Sequence, residues 1–464
     1  MARTFDAIVI GAGQAGPPLA GRLTAAGWSV ALVERHLFGG TCVNTGCMPT
    51  KALVASAYAA HLARRGADLG LVVPGPVSVD ARALKARQRG IADTARGNVE
   101  RWLDRMAGCT VLRGHARFTG PREVQVEGPR GETERLSAGH VFIDVGGRAA
   151  VPDLPGIDAV AYLTNVSLLQ LDRIPAHLVV VGGSYIGLEF AQMYRRFGAQ
   201  VTVIERGPRL IGREDPEISE AVAGFLAAEG VSLRLGAECI RLRPHAEGVA
   251  VSVTCPDGPP DVVGSDVLLA VGRVPNTDDL GLDAAGVALD ARGYVTVGDD
   301  LQTSAPGVYA LGDCNGRGAF THTAYNDFEI VAANLLDGEA RRVSERVPGY
   351  ALYTDPPLGR VGQTEAQARA SGRPILVGTR PMTRVGRAVE KGETVGLMKI
   401  VADAESEKIL GAAILGTGGD EAIHGVLDMM NAGIPYPTLR WAVPIHPTVS
   451  ELIPTVLGEM TPPA

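Results

Sequence analysis

Residues 5–35 read FDAIVIGAGQAGPPLAGRLTAAGWSVALVER, an apolar run, a glycine-rich turn, a helix-forming stretch and a second apolar run that closes on Glu34. The spacing of Gly11, Gly13 and Gly16 permits a tight turn and lets backbone approach a pyrophosphate, whose charge the following helix N-terminus faces. Glu34 stands where an acid bonds a ribose hydroxyl. Pro17 and Pro18 fall in the first helical turn, where a missing N–H costs least. This stretch predicts a βαβ dinucleotide-binding unit and with it an α/β fold.

The same pattern recurs at residues 177–206, HLVVVGGSYIGLEFAQMYRRFGAQVTVIER, with Gly182, Ser184 and Gly187 at the glycine positions and Glu205 after the second apolar run. Ser184 replaces the middle glycine, so the backbone approaches phosphate less closely there. Two such units in one chain imply two dinucleotides, most economically a flavin and a nicotinamide. A chain of 464 residues is too long for one ordinary core, and two or three domains are expected.

The rest of the composition excludes more than it selects. The apolar runs are strand-sized, well short of the roughly 20 residues that cross a bilayer, so no membrane span is predicted. The N-terminus lacks the h-region and cleavage site of a secretory signal, and a cytoplasmic location is expected. A net charge of −7 without a basic run argues against nucleic acid as partner. Six scattered cysteines do not make a secreted disulfide framework.

One pair of cysteines is close, Cys42 and Cys47 in GGTCVNTGCMPTK, residues 39–51. Zinc would need further cysteines or histidines at ligand spacing, and none follows, so no metal is expected. A structural staple does not suit a reducing compartment. GCMPTK reads as a helix start, with Pro49 in the first turn and good helix formers after it. Cys47 would then lie at a positive helix terminus with Lys51 one turn on, and both favour thiolate over thiol. A redox pair is the reading the local chemistry suits.

That segment resembles the redox-active segment of the flavoprotein disulfide reductases, the family of dihydrolipoamide dehydrogenase, glutathione reductase and mercuric reductase. The resemblance extends along essentially the whole chain. VYALGDCNG is similar to the second FAD motif, VGRVPNT to the segment closing the NAD domain, and HPTVSE to the catalytic His–Glu motif. It implies two Rossmann-like domains, for FAD and NAD(P), and a C-terminal α+β dimerisation domain. Residues 1–147 and 276–340 would form a discontinuous FAD domain, 148–275 the NAD(P) domain and 341–464 the interface domain.

The resemblance also implies roles. Cys47 would be the flavin-proximal sulfur and charge-transfer thiolate, and Cys42 the interchange thiol that attacks substrate. Lys51 and Glu189 would pair near flavin N5, and the Tyr185 ring would gate the nicotinamide pocket. His446, oriented by Glu451, would serve Cys42 as acid–base across the interface of an obligate homodimer; an imidazole titrating near neutrality suits that task. Assigned to cofactor binding are Gly11, Gly13, Gly16, Glu34, Gly40, Thr41, Lys51, Gly114, Ala116, Gly146, Gly312, Asp313 and His322. To these are added Gly182, Ser184, Gly187, Glu205, Arg206, Gly272 and Arg273. Asp313 would bond the ribityl chain, and the segment of His322 would supply backbone contacts to the flavin.

Glu205 favours NADH over NADPH, because a carboxylate bonds a 2′-hydroxyl and repels a 2′-phosphate, although Arg206, Arg209 and Arg213 offer cations nearby. Cys314 reads as a small buried residue, and Cys109, Cys239 and Cys255 carry no partner signal. His424 reads as a packing residue. The chain ends in LGEMTPPA without a cysteine pair to relay Hg(II) or a thioredoxin-type disulfide and keeps His446, so neither substrate is expected. YTDPPLGRVGQTEAQARASG and GIPYPTLRWAVPIHPTVSE resemble the reactive-chlorine-resistance flavoproteins, which implies NAD(P)H-dependent reduction of a small disulfide or an oxidised sulfur species. The alternatives are a dihydrolipoamide dehydrogenase component of a multienzyme complex, a metal-ion (Hg(II) or Cu(II)) reductase and a thiol-independent NADH oxidase or quinone reductase.

Overall fold

The structure is a computed structural model that describes residues 2–254 and 256–463; Cys255 lies outside them. Its first sheet has seven strands in the order Cys109–Arg113, Val30–Glu34, Arg3–Ile10, Thr133–Ile143, Glu123–Glu127, His115–Gly120, with Val308–Ala310 also pairing on Thr133–Ile143. The last strand of this sheet thus comes from far along the chain. Residues 141–143 lie between residues 8–10 and 308–310, parallel to both. Arg3–Ile10, Val30–Glu34 and Cys109–Arg113 are also parallel; the first two are mostly buried, and near-continuous apolar runs suit strands covered on both faces, while Cys109–Arg113 at the sheet edge is only half-buried.

A second, parallel sheet orders Ser232–Arg234, Gln200–Ile204, His177–Val181 and Asp266–Leu269. Beside it lies a three-stranded antiparallel sheet of Glu238–His245, Gly248–Thr254 and Asp261–Gly264. The chain runs between the first and second sheets through one short antiparallel pair, Gly147–Ala149 on Arg273–Pro275. A five-stranded antiparallel sheet from residues 349–415 follows, in the order Gly349–Leu352, Leu358–Gly362, Ile409–Leu415, Leu397–Asp403, Ile375–Pro381.

The two glycine turns are built alike. Gly11 has φ +109° and Gly182 φ +116°, and a Cβ at either would fall 2.1 or 2.4 Å from a carbonyl oxygen, of Asp144 or Ala270 respectively. Only glycine accepts that backbone at that approach. A Cβ on Gly16 would fall 2.3 Å from the Gly11 oxygen, and one on Gly187 2.2 Å from the Gly182 oxygen. The helices that follow, Gly16–Ala25 and Tyr185–Phe197, therefore pack directly on their turns.

The helix Cys47–Arg64 begins at the cysteine itself, with Pro49 in its first turn. Its Leu53 and Ala57 pack into the core formed by the helix Tyr185–Phe197 and by Leu352, Leu358 and Leu415 of the C-terminal sheet. Full burial of a leucine is worth about 1.5–3 kcal/mol, so this helix is fastened to the second sheet and to the C-terminal sheet. His424 is exposed at the first position of the helix His424–Ala432 and does not pack as expected. A break in the helix at Ile423 turns Ile423 and Val426 inward and leaves the histidine on the solvent side. No helix among the described residues is long and apolar enough to cross a membrane.

Candidate active site

Both glycine turns open onto one cleft of about 1530 Å³. That exceeds the range of about 300–1,000 Å³ typical of single small-ligand pockets. Its walls include Gly11, Gly13, Glu34, Gly40, Thr41, Gly114, Ala116, Gly146, Gly312, Asp313 and His322. From the second unit come Gly182, Ser184, Tyr185, Glu189, Glu205, Arg206, Gly272 and Arg273, and Cys42, Cys47 and Lys51 line the same space. Gly16 and Gly187 lie outside the wall and act through helix packing. Gly146 and Gly272 have φ +63° and +132°, and a Cβ on either would meet nothing within 4 Å. The cleft thus keeps backbone bare where a long ligand would run, and its donors suit dinucleotides.

The acids at the turns are posed in parallel. Glu34 accepts from Ala12 N at 2.9 Å and His36 N at 2.7 Å, and Glu205 accepts from Gly183 N and Gly207 N, each at 2.6 Å. Asp313 lies 3.5 Å from Arg273 Nε, and burial raises its carboxyl above the usual range. Asp144, which sequence reading passed over, is buried against the first turn at the cleft wall, where its Oδ2 accepts from Gly16 N at 2.7 Å; burial pushes its carboxyl well up. An acid closing the apolar strand VFID was the signal for it. The His322 Nε2 lies 2.8 Å from Gly349 O, and burial lowers its pKa.

Cys42 lies in the short helix Gly40–Asn44 and is half-buried; Cys47 is exposed on the cleft wall. Both are free thiols, and their titrations are pulled apart. The hydrogen bond from Cys42 lowers Cys47 to about 6, against burial and with help from Thr321 and Lys51. The same contact, with burial, pushes the Cys42 thiol far up. Thr321, first residue of the helix Thr321–Ala332, has its hydroxyl 3.4 Å from Cys47 Sγ. In two-electron-reduced holoenzyme the Cys47 thiolate is expected to form as pH rises through about 6. Its long-wavelength charge-transfer absorbance, followed from pH 4.5 to 8 at roughly half-unit steps, is the check; a midpoint near the ordinary thiol value of about 8.5 contradicts it.

Lys51 Nζ lies 2.7 Å from Glu189 Oε2 and 4.7 Å from the centre of the Tyr353 ring. Tyr353 N donates to the other oxygen of Glu189 at 3.0 Å. Tyr185 stands one helical turn before Glu189, and its hydroxyl donates to Glu214 at 2.9 Å. Burial raises its pKa far above the ordinary phenol value.

His446 and Glu451 are held together, Nδ1 to Oε2 at 2.9 Å, and neither lines the cleft on whose wall Cys42 and Cys47 stand. The histidine side chain is 80% exposed, outside the cleft wall, and next to the exposed Trp441, Val443 and Ile445. Cys314 is buried and its thiol donates to Leu311 O at 3.2 Å. Cys109 is half-buried, with its pKa raised by burial to about 11, and Cys239 is exposed. No group of three or more metal-ligating side chains occurs among the described residues.

Comparison with known proteins finds relatives over most of the chain. The family model of the pyridine nucleotide-disulphide oxidoreductases matches residues 5–327, and that of their dimerisation domain residues 348–457. The probable pyridine nucleotide-disulfide oxidoreductase RclA of Escherichia coli is 36% identical over 96% of this chain and 97% of its own length. A dihydrolipoyl dehydrogenase of Thermus scotoductus is 35% identical over 97% and 96%. A solved Cu(II) complex of the HOCl-induced flavoprotein disulfide reductase RclA from Escherichia coli superposes with a TM-score of 0.89 at 33% identity, over 99% of both chains. The chain belongs to the pyridine nucleotide-disulphide oxidoreductases, homodimeric flavoproteins that use a pyridine nucleotide.

Proposed function

We propose that the protein is an FAD-dependent, NAD(P)H-driven reductase of a small disulfide or oxidised sulfur species, acting through Cys42 and Cys47. The observation that carries it is the splitting of the two thiols, one at about 6 and one pushed far up, on the wall of a cleft that two dinucleotide turns share. The division into domains at residues 1–147 with 276–340, 148–275 and 341–464 belongs to the same reading, as do the roles of the site residues. Bound in the cleft, FAD would supply a two-electron relay between nicotinamide and the cysteine pair.

The residues would then act as follows. Cys42, deprotonated by His446 of the partner subunit, attacks one sulfur of the substrate, forms a mixed disulfide and expels a thiolate that the same imidazole protonates. The Cys47 thiolate attacks Cys42 sulfur, expels the second thiol and closes the Cys42–Cys47 disulfide, which two electrons from the nucleotide reopen. One disulfide, one NAD(P)H and one proton become two thiols and NAD(P)⁺. A raised Cys42 requires such a proton acceptor, because only the thiolate attacks.

Anaerobic NADH titration of the yellow protein, followed by a panel of disulfides, hypothiocyanous acid, lipoamide, Hg(II) and Cu(II), tests the reading. The panel includes Cu(II) because the solved relative is described as a Cu(II) complex. A protein that NADH or NADPH bleaches but that turns over none of the sulfur species defeats it. For the donor we propose NADH, since Glu205 is held against its turn as Glu34 is against the first, where an acid would bond a ribose hydroxyl. kcat/KM for NADH is expected to exceed that for NADPH by about tenfold, and Glu205→Ala to erase the difference by removing the charge that repels a 2′-phosphate beside Arg206, Arg209 and Arg213. A preference for NADPH in the unaltered enzyme would overturn the choice.

A further inference from the structure

The Tyr185 hydroxyl is tied to a carboxylate that takes no part in the chemistry above. Glu214 has no exposed side-chain surface. Its Oε1 accepts two phenolic hydroxyls, from Tyr185 at 2.9 Å and from Tyr350 at 2.7 Å. Its Oε2 accepts Nε and Nη2 of Arg360 at 2.9 and 2.6 Å. Arg360, itself buried in the C-terminal sheet, also bonds Asp215 at 2.9 Å, and Lys399 stands 3.7 Å from Asp215. Each carboxylate oxygen of Glu214 thus carries two bonds, which fills its acceptor capacity.

Such an arrangement is a poor way to buy stability alone, because buried ion pairs seldom outperform apolar side chains of the same volume. Its placement points to the cleft instead. Tyr185 opens the helix Tyr185–Phe197, and Glu189, one turn on along the same face, holds Lys51. The ring therefore stands beside the ion pair on the cleft wall. Tyr185 meets Tyr350 edge-on at 5.4 Å between ring centres, and Tyr350 stacks on Phe320 at 5.7 Å, the residue before Thr321.

The segment that delivers Glu214 is fixed to the second glycine turn. It bends at Ile211, whose φ of +40° a β-branched residue rarely adopts, and Ile211 N donates to Gly183 O at 2.8 Å. Strain of this kind persists only where the surroundings hold it and gathers at ligand clamps. Arg206, Arg209 and Arg213 of the same segment line the cleft.

We propose that Glu214 is a positioning residue, a buried latch that holds the Tyr185 ring in the nicotinamide half of the cleft until an entering pyridine nucleotide breaks the Tyr185–Glu214 hydrogen bond. The latch rests on the function proposed above. Tyr350 shares the same oxygen and keeps it hydrogen-bonded when Tyr185 leaves, so opening does not strand a buried acceptor. Arg360 fixes the carboxylate to the C-terminal sheet, which makes the latch independent of movement in the Tyr185 helix.

The test is equilibrium binding of NAD⁺ and NADP⁺ to oxidised holoenzyme, read by flavin fluorescence, for the unaltered enzyme, Tyr185→Phe and Glu214→Gln. Tyr185→Phe keeps the ring and the Arg360–Glu214 pair. Removing a closed population that entry must displace is expected to lower Kd about tenfold for whichever nucleotide binds the unaltered enzyme tighter. Glu214→Gln should shift Kd in the same direction, and Tm of Tyr185→Phe should match that of the unaltered enzyme. Unchanged or weaker binding by Tyr185→Phe overturns the latch, and that variant decides the matter alone should Glu214→Gln fail to fold. An unaltered holoenzyme that binds neither nucleotide overturns the proposed function and the latch together; failure of the latch alone leaves that binding and the bleaching by NADH intact.

Discussion

Cys47→Ser holoenzyme, reduced anaerobically with NADH, is expected to show no long-wavelength charge-transfer absorption and to lose disulfide turnover by about a thousandfold or more. The cause is electronic as well as covalent. The Cys47 sulfur holds a negative charge near neutral pH because Cys42 and Thr321 donate toward it and Lys51 stands near. A serine hydroxyl in their place stays protonated and cannot resolve a mixed disulfide. Cys42→Ser should part the two effects. It keeps a sulfur at position 47 and with it a thiolate absorption, while turnover of small disulfides disappears. Full activity in Cys42→Ser would sink the disulfide mechanism and favour an oxidase or quinone reductase that needs no thiols. Spectra and steady-state rates on the two variants suffice to decide.

His446→Gln carries the second large effect. Turnover is expected to fall by about 10²–10⁴, the usual contribution of a general acid–base. The pH profile of kcat/KM should lose the limb that the imidazole gives it. Loss on that scale would be out of proportion to the side chain's place in its own subunit, where it is exposed and bonded to Glu451. It follows from the state of Cys42, whose thiol is pushed far up and, in the proposed mechanism, would have to lose its proton before attacking. Flavin reduction by NADH, measured by stopped flow, should be unchanged in the same variant, because it precedes any proton transfer at the substrate. A variant with normal turnover would reduce His446 to an ordinary surface histidine.

Much of this was legible in the sequence because it is local. The glycine turns, the acids that close the second strands and the helix start at Cys47 are each set within a few residues, by backbone freedom and helix-terminus chemistry. What escaped was made by contacts across the chain. Thr321 reaches Cys47 over 274 positions, and Arg360 reaches Glu214 over 146. Neither pair leaves a spacing that a reader of the sequence could notice. The acidity of Cys47 was expected from the helix terminus and Lys51, yet its largest cause is the hydrogen bond from Cys42. His424 shows the reverse error, where an amphipathic pattern suggested packing and a helix break at Ile423 exposed the side chain.

The likeness of the two glycine turns has a consequence for selectivity. Gly11 and Gly182 adopt nearly the same φ, each pressed on a carbonyl oxygen, and Glu34 and Glu205 meet their turns in the same pose. If the function proposed above holds, turns so alike would grip the adenylate half of a dinucleotide without telling one dinucleotide from another. Discrimination would then fall to other walls of the cleft, to Asp313 and the cysteines and to Arg206 and Tyr185. Adenosine diphosphate alone, which has the shared half and neither distinguishing end, would compete at both turns with little preference between them.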